Sequence, residues 1–215
     1  MVALTVRALI IEDDPDHADL LEISLGRLPG FEFRCTKCRS SAEAGSEVHQ
    51  QTYDVVFADY WLGADTCKTF LEEHRQRGGT TAVVVTTSAN DEYVAASVTR
   101  AGACAYLRKD DLDGPLLLQA VRDAMQQSER NRRRTDLRSD AARRLDGLTP
   151  RERQIADLIA DGLQTKHIAS QLGCADGTVS IHRSHILAKT KARSVADLVR
   201  LVITAAGARD PVPAG

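Results

Sequence analysis

Five short apolar runs alternate with segments of helical period along the first 125 residues, and this alternation most constrains the fold. Short apolar runs bounded by polar residues are typical of buried strands, whereas apolar residues at every third or fourth position indicate amphipathic helices. The alternation predicts an α/β domain with a five-stranded, doubly wound parallel sheet and helices on both faces. The predicted strands are residues 7–11, 31–35, 55–58, 82–86 and 105–107, and the predicted helices are residues 16–27, 41–50, 68–75, 91–101 and 112–126.

The charge is divided unevenly along the 215-residue chain. Residues 1–124 carry 12 Lys and Arg against 20 Asp and Glu, a net charge of −8, whereas residues 125–215 carry 16 against 10, a net charge of +6. The length allows two small domains, each with its own core. A basic second half favours a nucleic-acid partner for that half.

Two features bear on the cellular compartment. No apolar stretch is long enough to cross a bilayer, and the first residues lack the pattern of a secretory signal, so we expect a cytoplasmic protein without a membrane partner. Five cysteines, an odd number, fit a reducing compartment. Cys35 and Cys38 form a CxxC pair on a predicted edge strand. We interpret them as unrelated small side chains, with a zinc or redox site as the alternative.

Polar side chains follow four of the predicted strands, at the point where each strand ends. The carboxyl ends of parallel strands meet at one edge of the sheet, where ligands bind in folds of this kind. The residues at these ends are Glu12, Asp13 and Asp14 after the first strand, Asp59 after the third, Thr87 and Ser88 after the fourth, and Lys109 after the fifth.

This set of side chains has a chemical logic. Carboxylates that converge on one point suit Mg²⁺, which prefers oxygen ligands. A carboxylate beside bound Mg²⁺ can attack phosphorus and form an acyl phosphate, and an ammonium and a hydroxyl suit the phosphoryl oxygens. We therefore interpret Asp59 as the nucleophile, with Lys109 and a hydroxyl at the end of the fourth strand, Thr87 or Ser88, as its partners.

The motifs IIEDDP, DVVFADYWLG, VTTSAND and AGACAYLRKD resemble those of a response-regulator receiver domain, over roughly residues 5–125. The resemblance implies a flavodoxin-like fold, a sensor histidine kinase as partner and Asp59 as the residue that accepts its phosphoryl group. It implies that Lys109 contacts this group, that Thr87 (or less favourably Thr86) is the switch hydroxyl, and that Tyr106 is the switch aromatic. The implied Mg²⁺ ligands are Glu12, Asp13, Asp59 and the backbone carbonyl of Trp61.

One residue near the site, Cys67, departs from the family pattern, and another, Trp61, is bulky. Cys67 stands where the family usually has glycine, and a β-carbon at a position that needs a positive φ would strain the loop. Trp61 either shields the acyl phosphate from water or covers the sheet edge.

The second half contains a clear helix start. In LTPRERQIADLIADG, Thr149 can cap a helix, Pro150 suits its first position, and Glu152 completes a capping box. Residues 165–172 predict a short helix that Gly173 ends, and residues 177–190 predict a longer one. Two helices joined by a glycine-bearing turn indicate an all-α helix-turn-helix domain, whose third helix enters the major groove.

The segment LTPRERQIADLIADGLQTKHIASQLG, followed by GTVSIHRSHILAK, resembles the LuxR-type DNA-binding domain over about residues 147–205. Together with the receiver, this pattern is similar to the NarL/FixJ subfamily of response regulators. On the third helix, Ser180, Arg183, Ser184 and Lys189 can face outward, and we expect all four among the DNA-binding residues. The resemblance implies double-stranded DNA as partner, with phosphate contacts from Lys166, Thr178 and His182 and base contacts from Ser180, Ile181 and Ser184, beside Arg183.

Two serines stand where the family often has lysine, which predicts weaker affinity for DNA. The last predicted helix, residues 194–205, places four apolar residues on one face: Val195, Leu198, Val199 and Val202. The resemblance makes this face a dimer contact, and packing within its own domain is the alternative.

We expect a receiver over residues 1–125, an Arg-rich linker or solvated extension of the last receiver helix over 126–146, a DNA-binding domain over 147–206 and a flexible tail over 207–215. The expected function is a two-component response regulator in which phosphotransfer to Asp59 controls dimerisation and DNA binding, and thereby transcription. We expect no enzyme beyond Mg²⁺-dependent self-phosphorylation and dephosphorylation. The alternatives are a phosphorylation-independent regulator or phosphate-sink protein with weak DNA binding, and a Mg²⁺-dependent phosphatase.

Overall fold

A computed structural model describes residues 3–88 and 92–207. The chain divides after Arg132 into two compact units. Two predictions fall outside the described residues: the tail after Gly207, and Asp91 as the start of the fourth helix. Among the described residues, no helix combines the length and apolar character needed to cross a lipid bilayer.

The first unit is built on a five-stranded parallel sheet with strand order β2-β1-β3-β6-β7. The predicted parallel sheet is confirmed, although β2 extends three residues beyond its predicted end. A two-stranded antiparallel hairpin, β4 and β5, follows β3. The strands are β1 (Leu4–Ile11), β2 (Phe31–Cys38), β3 (Val55–Asp59), β4 (Trp61–Leu62), β5 (Asp65–Thr66), β6 (Ala82–Thr87) and β7 (Ala105–Arg108).

Helices cover both faces of this sheet, because the central strands are apolar on both faces. One face packs against α2, α3 and α4, and the other against α1 and α5. Side-chain caps start two of the helices: Asp14 accepts from the amide of Asp16, and Ser40 from that of Glu43. The helices are α1 (Pro15–Gly26), α2 (Ser41–Gln50), α3 (Lys68–Gln76), α4 (Glu92–Ala101) and α5 (Pro115–Asp146), with a 3₁₀ turn at Lys109–Asp111.

Residues 126–146 lie entirely within α5, a single helix of 32 residues. No glycine or proline interrupts the sequence between Pro115 and Asp146, and most residues there are good helix formers. The expectation of a solvated segment fails at three positions, since Ser128, Ala141 and Leu145 are buried. The segment is therefore helical, with Ser128 buried in the first unit and Ala141 and Leu145 buried in the core of the second.

The second unit contains four further helices: α6 (Pro150–Ala160), α7 (Thr165–Leu172), α8 (Asp176–Thr190) and α9 (Val195–Ala206). The predicted capping box at the start of α6 is present, formed between Thr149 and Glu152. Gly173 ends α7 in the left-handed conformation, with φ of +64°, which a residue with a side chain rarely adopts. The predicted helix-turn-helix of α7 and α8 is confirmed.

Candidate functional site

Three carboxylates converge at the carboxyl edge of the sheet. Glu12 and Asp13 follow β1, and Asp59 ends β3, the strand next to it. One carboxylate oxygen of each lies within 4.8 Å of the others. Glu12 and Asp59 are only 6% and 7% exposed, whereas Asp13 is exposed. The register places Ile11 opposite Ala58, so the residues that follow each of them emerge side by side.

Lys109 follows β7, the edge strand two positions from β3, and its side chain reaches this cluster. Its Nζ donates to Glu12 Oε2 at 2.7 Å and to Asp59 Oδ2 at 3.0 Å. Burial raises the pKa of both carboxyl groups, and the hydrogen bonds from Lys109 oppose that rise. Burial alone would lower the pKa of Lys109, but its bonds to the two carboxylates outweigh burial and raise it. The lysine therefore enters the site as a charged ammonium.

The second carboxylate oxygen of Glu12 indicates what the cluster can hold. Glu12 Oε1 is buried and accepts no hydrogen bond from any described residue. A buried carboxylate oxygen without a partner costs free energy unless a cation or water satisfies it. Oxygen donors on Glu12, Asp13 and Asp59 are the ligands that Mg²⁺ prefers, so the residues present fit that ion.

The predicted switch residues lie on neighbouring strands. The pairing of Val85 with Tyr106 and of Thr87 with Arg108 places Thr87 and Tyr106 on the same face of the sheet. Thr87 is fully buried. Thr86, the alternative switch hydroxyl, is the direct partner of Asp59 in the ladder and so shares the opposite face with it.

The loop after Asp59 differs from the expectation for Cys67. Cys67 has φ of −63°, an ordinary value, and its N–H donates to the carbonyl of Tyr60 at 3.0 Å, so the predicted backbone strain is absent. Gly63 takes the positive φ of +65° instead, and its N–H donates to Asp13 Oδ2 at 3.0 Å. The Trp61 ring packs edge-on against Tyr60 and stays 53% exposed.

One neighbour of the cluster was missed in the sequence. His17 lies in the first turn of α1, and its Nδ1 is 3.2 Å from Lys109 Nζ and 3.8 Å from Glu12 Oε1. The available signal was its position, because a residue in the first turn of the helix after Glu12 faces the same sheet edge.

The cysteines form no site among the described residues. Cys35 and Cys38 are free thiols on the edge strand β2, and three residues of separation place them on opposite faces. Burial raises the pKa of Cys35 to about 11 and that of Cys38 to about 12. The interpretation as unrelated small side chains therefore fits the structure, and the zinc or redox alternative does not.

Helix α8 presents a mixed surface. Arg183 and His182 are half-buried, and the Nδ1 of His182 is buried without a hydrogen bond to a described residue. Ile181 is 60% exposed. The other predicted contact residues of this surface are exposed: Lys166 on α7, and Thr178, Ser180 and Ser184 on α8.

Three predicted outward-facing residues bind their own domain. The hydroxyl of Ser180 donates to the carbonyl of Asp176 at 3.0 Å, and that of Ser184 to the carbonyl of Ser180 at 3.2 Å. The Lys189 side chain is exposed, and its Nζ donates to Glu152 Oε2 of its own domain at 2.6 Å. That hydrogen bond lowers the pKa of Glu152 to about 2.

The apolar face of α9 packs within the second unit. Leu198 and Val202 are buried in its core, and Val195 and Val199 pack against that core. All four side chains take part in packing within the domain, and the dimer contact stays a prediction.

Comparison with known proteins shows what the chain is similar to. The family model "Response regulator receiver domain" matches residues 8–122, and "Bacterial regulatory proteins, luxR family" matches residues 146–202. The chain is 36% identical to the transcriptional regulatory protein FixJ of Azorhizobium caulinodans over 145 residues, 66% of this chain and 68% of that protein. It is 31% identical to the tetrathionate response regulatory protein TtrR of Salmonella typhimurium over 191 residues, 89% of each chain.

A low-resolution structure of the response regulator StyR has a TM-score of 0.63 and 26% identity, covering 93% of this chain and 98% of that one. The receiver model matches the first unit and the luxR model matches the second, and these two matches together identify the family. The chain belongs to the NarL/FixJ-type two-component response regulators, transcription regulators with a receiver domain followed by a LuxR-type DNA-binding domain.

Proposed function

We propose that Asp59 accepts a phosphoryl group from a sensor histidine kinase and that this modification controls dimerisation and DNA binding. The observation that carries the proposal is the buried Asp59 carboxylate, which lies 3.0 Å from the Lys109 ammonium and within 4.8 Å of two further carboxylates. A buried anion beside a lysine ammonium is suited to react with phosphorus at the sheet edge.

In this reaction an oxygen of Asp59 attacks the phosphorus of phosphohistidine. The new O–P bond forms as the N–P bond breaks, and the imidazole leaves with its electron pair and takes up a proton. Lys109 neutralises charge on a phosphoryl oxygen, and the Thr87 hydroxyl donates to another. Tyr106, on the same sheet face as Thr87, then changes position, which alters the receiver surface.

Glu12, Asp13, Asp59 and the backbone carbonyl of Trp61 would hold Mg²⁺. When bound, the ion neutralises negative charge on the transferring group. Glu12 Oε1, which accepts no hydrogen bond from a described residue, supports this ligand set. The protein's own contribution is to hold the three carboxylates at fixed positions, through the adjacent ends of β1 and β3 and through the hydrogen bond of Gly63 to Asp13.

The DNA contacts follow from α8 as the helix that enters the major groove. We place Lys166, Thr178 and His182 at phosphates, and Ser180, Ile181, Arg183 and Ser184 at base edges. The hydroxyls of the two serines already donate within the helix, so they offer base edges only acceptor lone pairs. Ile181 suits apolar contact with a thymine methyl group. We infer that the protein acts in the cytoplasm, and that it binds DNA as a homodimer on paired half-sites, as helix-turn-helix proteins do.

The same two serine contacts favour a second candidate function, a phosphate-sink or interaction protein with weak DNA binding. Short side chains bonded to their own helix supply neither charge nor reach. The two candidates differ in one respect, which is whether phosphorylation raises affinity for a genomic DNA fragment.

The test is to incubate the protein with Mg²⁺ and acetyl phosphate and to follow intact mass, elution volume and binding to fragmented genomic DNA. We expect one phosphoryl adduct, a shift to dimer and tighter, salt-dependent DNA binding. Asp59→Asn is the control and acquires no adduct. An unmodified wild type would refute the phosphoacceptor proposal, whereas an adduct without any DNA binding would favour the phosphate sink.

A further inference from the structure

His17 is a third hydrogen-bond partner of the lysine in the phosphoacceptor site. Its Nδ1 lies 3.2 Å from Lys109 Nζ. An ammonium can only donate, so Nδ1 accepts and the neutral ring carries its proton on Nε2. The contact joins the first turn of α1 to the residue that follows β7.

The three N–H groups of Lys109 match three acceptors. Two are the carboxylate oxygens of Glu12 and Asp59, at 2.7 and 3.0 Å, and the third is the ring nitrogen of His17. The two carboxylates belong to the acidic cluster that fits Mg²⁺, whereas His17 is a neutral acceptor beside it. His17 therefore holds the ammonium without competing for the ligand oxygens.

The space around Lys109 explains why a third contact matters. A cavity of about 170 Å³ lies beside the ammonium and is lined by His17, Leu20, Ser24, Leu112 and Asp113, among others. Lysine has a flexible four-carbon stem, and the Asp113 carboxylate on the wall of this cavity is another anion that can attract the ammonium. An ammonium released by His17 has room to turn away from Asp59.

We propose that His17 is a positioning residue that keeps the Lys109 ammonium at Asp59. The inference rests on the proposed phosphoacceptor function of Asp59. Loss of one hydrogen bond to a partly exposed charged group predicts phosphorylation that is about two- to tenfold slower. Mg²⁺ affinity should not change, because the three carboxylates are untouched.

Two nearly isosteric variants separate hydrogen bonding from packing. In His17→Asn the amide oxygen stands where Nδ1 stood and can accept from the ammonium, whereas His17→Leu places a methyl group there. His49→Leu, an exposed histidine near the end of α2, is the matched control. His17 is itself half-exposed, so all three variants should fold.

The first readout needs no phosphorylation. In the ¹⁵N NMR spectrum, the Lys109 ammonium, assigned by its absence in Lys109→Arg, should show a signal protected from exchange with water in the wild type, His17→Asn and His49→Leu. The signal should broaden or vanish in His17→Leu. A signal that is unchanged in His17→Leu would overturn the inference, whether or not Asp59 accepts phosphate.

The second readout is the rate constant of adduct formation with acetyl phosphate at saturating Mg²⁺. Affinity for Mg²⁺ is measured in parallel from the fluorescence of Trp61, the chain's single tryptophan. His17→Leu should be about two- to tenfold slower with unchanged Mg²⁺ affinity, and His17→Asn should approach the wild type. Equal rates in wild type and His17→Leu would refute the inference and leave the phosphoacceptor proposal intact. Absence of an adduct in every variant would instead refute the phosphoacceptor proposal.

Discussion

Replacing Ser128 by alanine should destabilise the receiver strongly for so small a change. Ser128 is 1% exposed, and its Oγ accepts from the N–H of Ala82 and donates to the carbonyl of Asp54, both at 2.8 Å. In the variant the buried N–H of Ala82 has lost its acceptor, which costs about 1–3 kcal/mol of stability. The carbonyl of Asp54 has lost one donor, which costs about 0.5–1 kcal/mol. Alanine has a higher helix propensity than serine, which offsets about 0.5 kcal/mol of this loss. The net cost is about 2 kcal/mol.

Urea unfolding followed by Trp61 fluorescence measures this cost, because the single tryptophan lies in the first unit. A loss of about 2 kcal/mol shifts the midpoint by about 1 M urea. Ser46→Ala is the matched control, since that exposed hydroxyl donates only to Ala42 of its own helix. The control should change stability by less than about 0.5 kcal/mol. Equal midpoints for the two variants would contradict the cost assigned to the orphaned groups.

Three further predictions concern other parts of the chain. Cys67, whose pKa burial raises to about 12, should resist a thiol reagent at pH 8 and react only on unfolding, and rapid labelling of the folded protein would contradict this placement. Gly79→Ala should destabilise the receiver in urea unfolding, because a β-carbon there meets the ring of His74, and a wild-type midpoint would refute the clash. The folded Glu152 pKa of about 2 lies below its usual 4.5, so its contribution to stability is full above pH 4.5 and is lost as pH falls toward 2. A ¹³C carboxyl titration should give a midpoint near 2 that moves toward 4.5 in Lys189→Met, and an unchanged midpoint would exclude Lys189 as the cause.

The sequence predicts the sheet and the acidic cluster for the same reason. Apolar runs locate the strands, and strand ends in a parallel sheet share one edge, so Glu12, Asp13, Asp59 and Lys109 could be brought together without coordinates. His17 is not at a strand end, so this reasoning misses it, and only its place in the first turn of the helix after Glu12 connects it with the site.

Other differences depend on tertiary contacts. The backbone angle of Cys67 depends on how the hairpin β4-β5 closes, and Gly63 provides the positive φ that was expected four residues later. The direction of Lys189 depends on Glu152, which is 37 positions away in sequence and next to it in space. Periodicity predicts which face of a helix a residue occupies, but not the charged partner that its long side chain selects.

Asp54 and Asp59, at the two ends of β3, differ in their surroundings in a way that supports a structural role for the first and the proposed phosphoacceptor role for the second. Asp54 precedes β3 at the amino edge, where its Oδ2 accepts from the N–H of Arg7 at 2.9 Å and its Oδ1 from Arg132 at 3.1 Å. Asp59 ends the same strand at the carboxyl edge, where burial raises its pKa and its side chain accepts from Lys109. A carboxylate with both oxygens bonded to a backbone N–H and a guanidinium holds strand and helix together, whereas Asp59 has the flexible Lys109 as its cationic partner, which suits the proposed reaction with phosphorus. The two residues have the same side chain, so the edge of the sheet at which each lies determines its role.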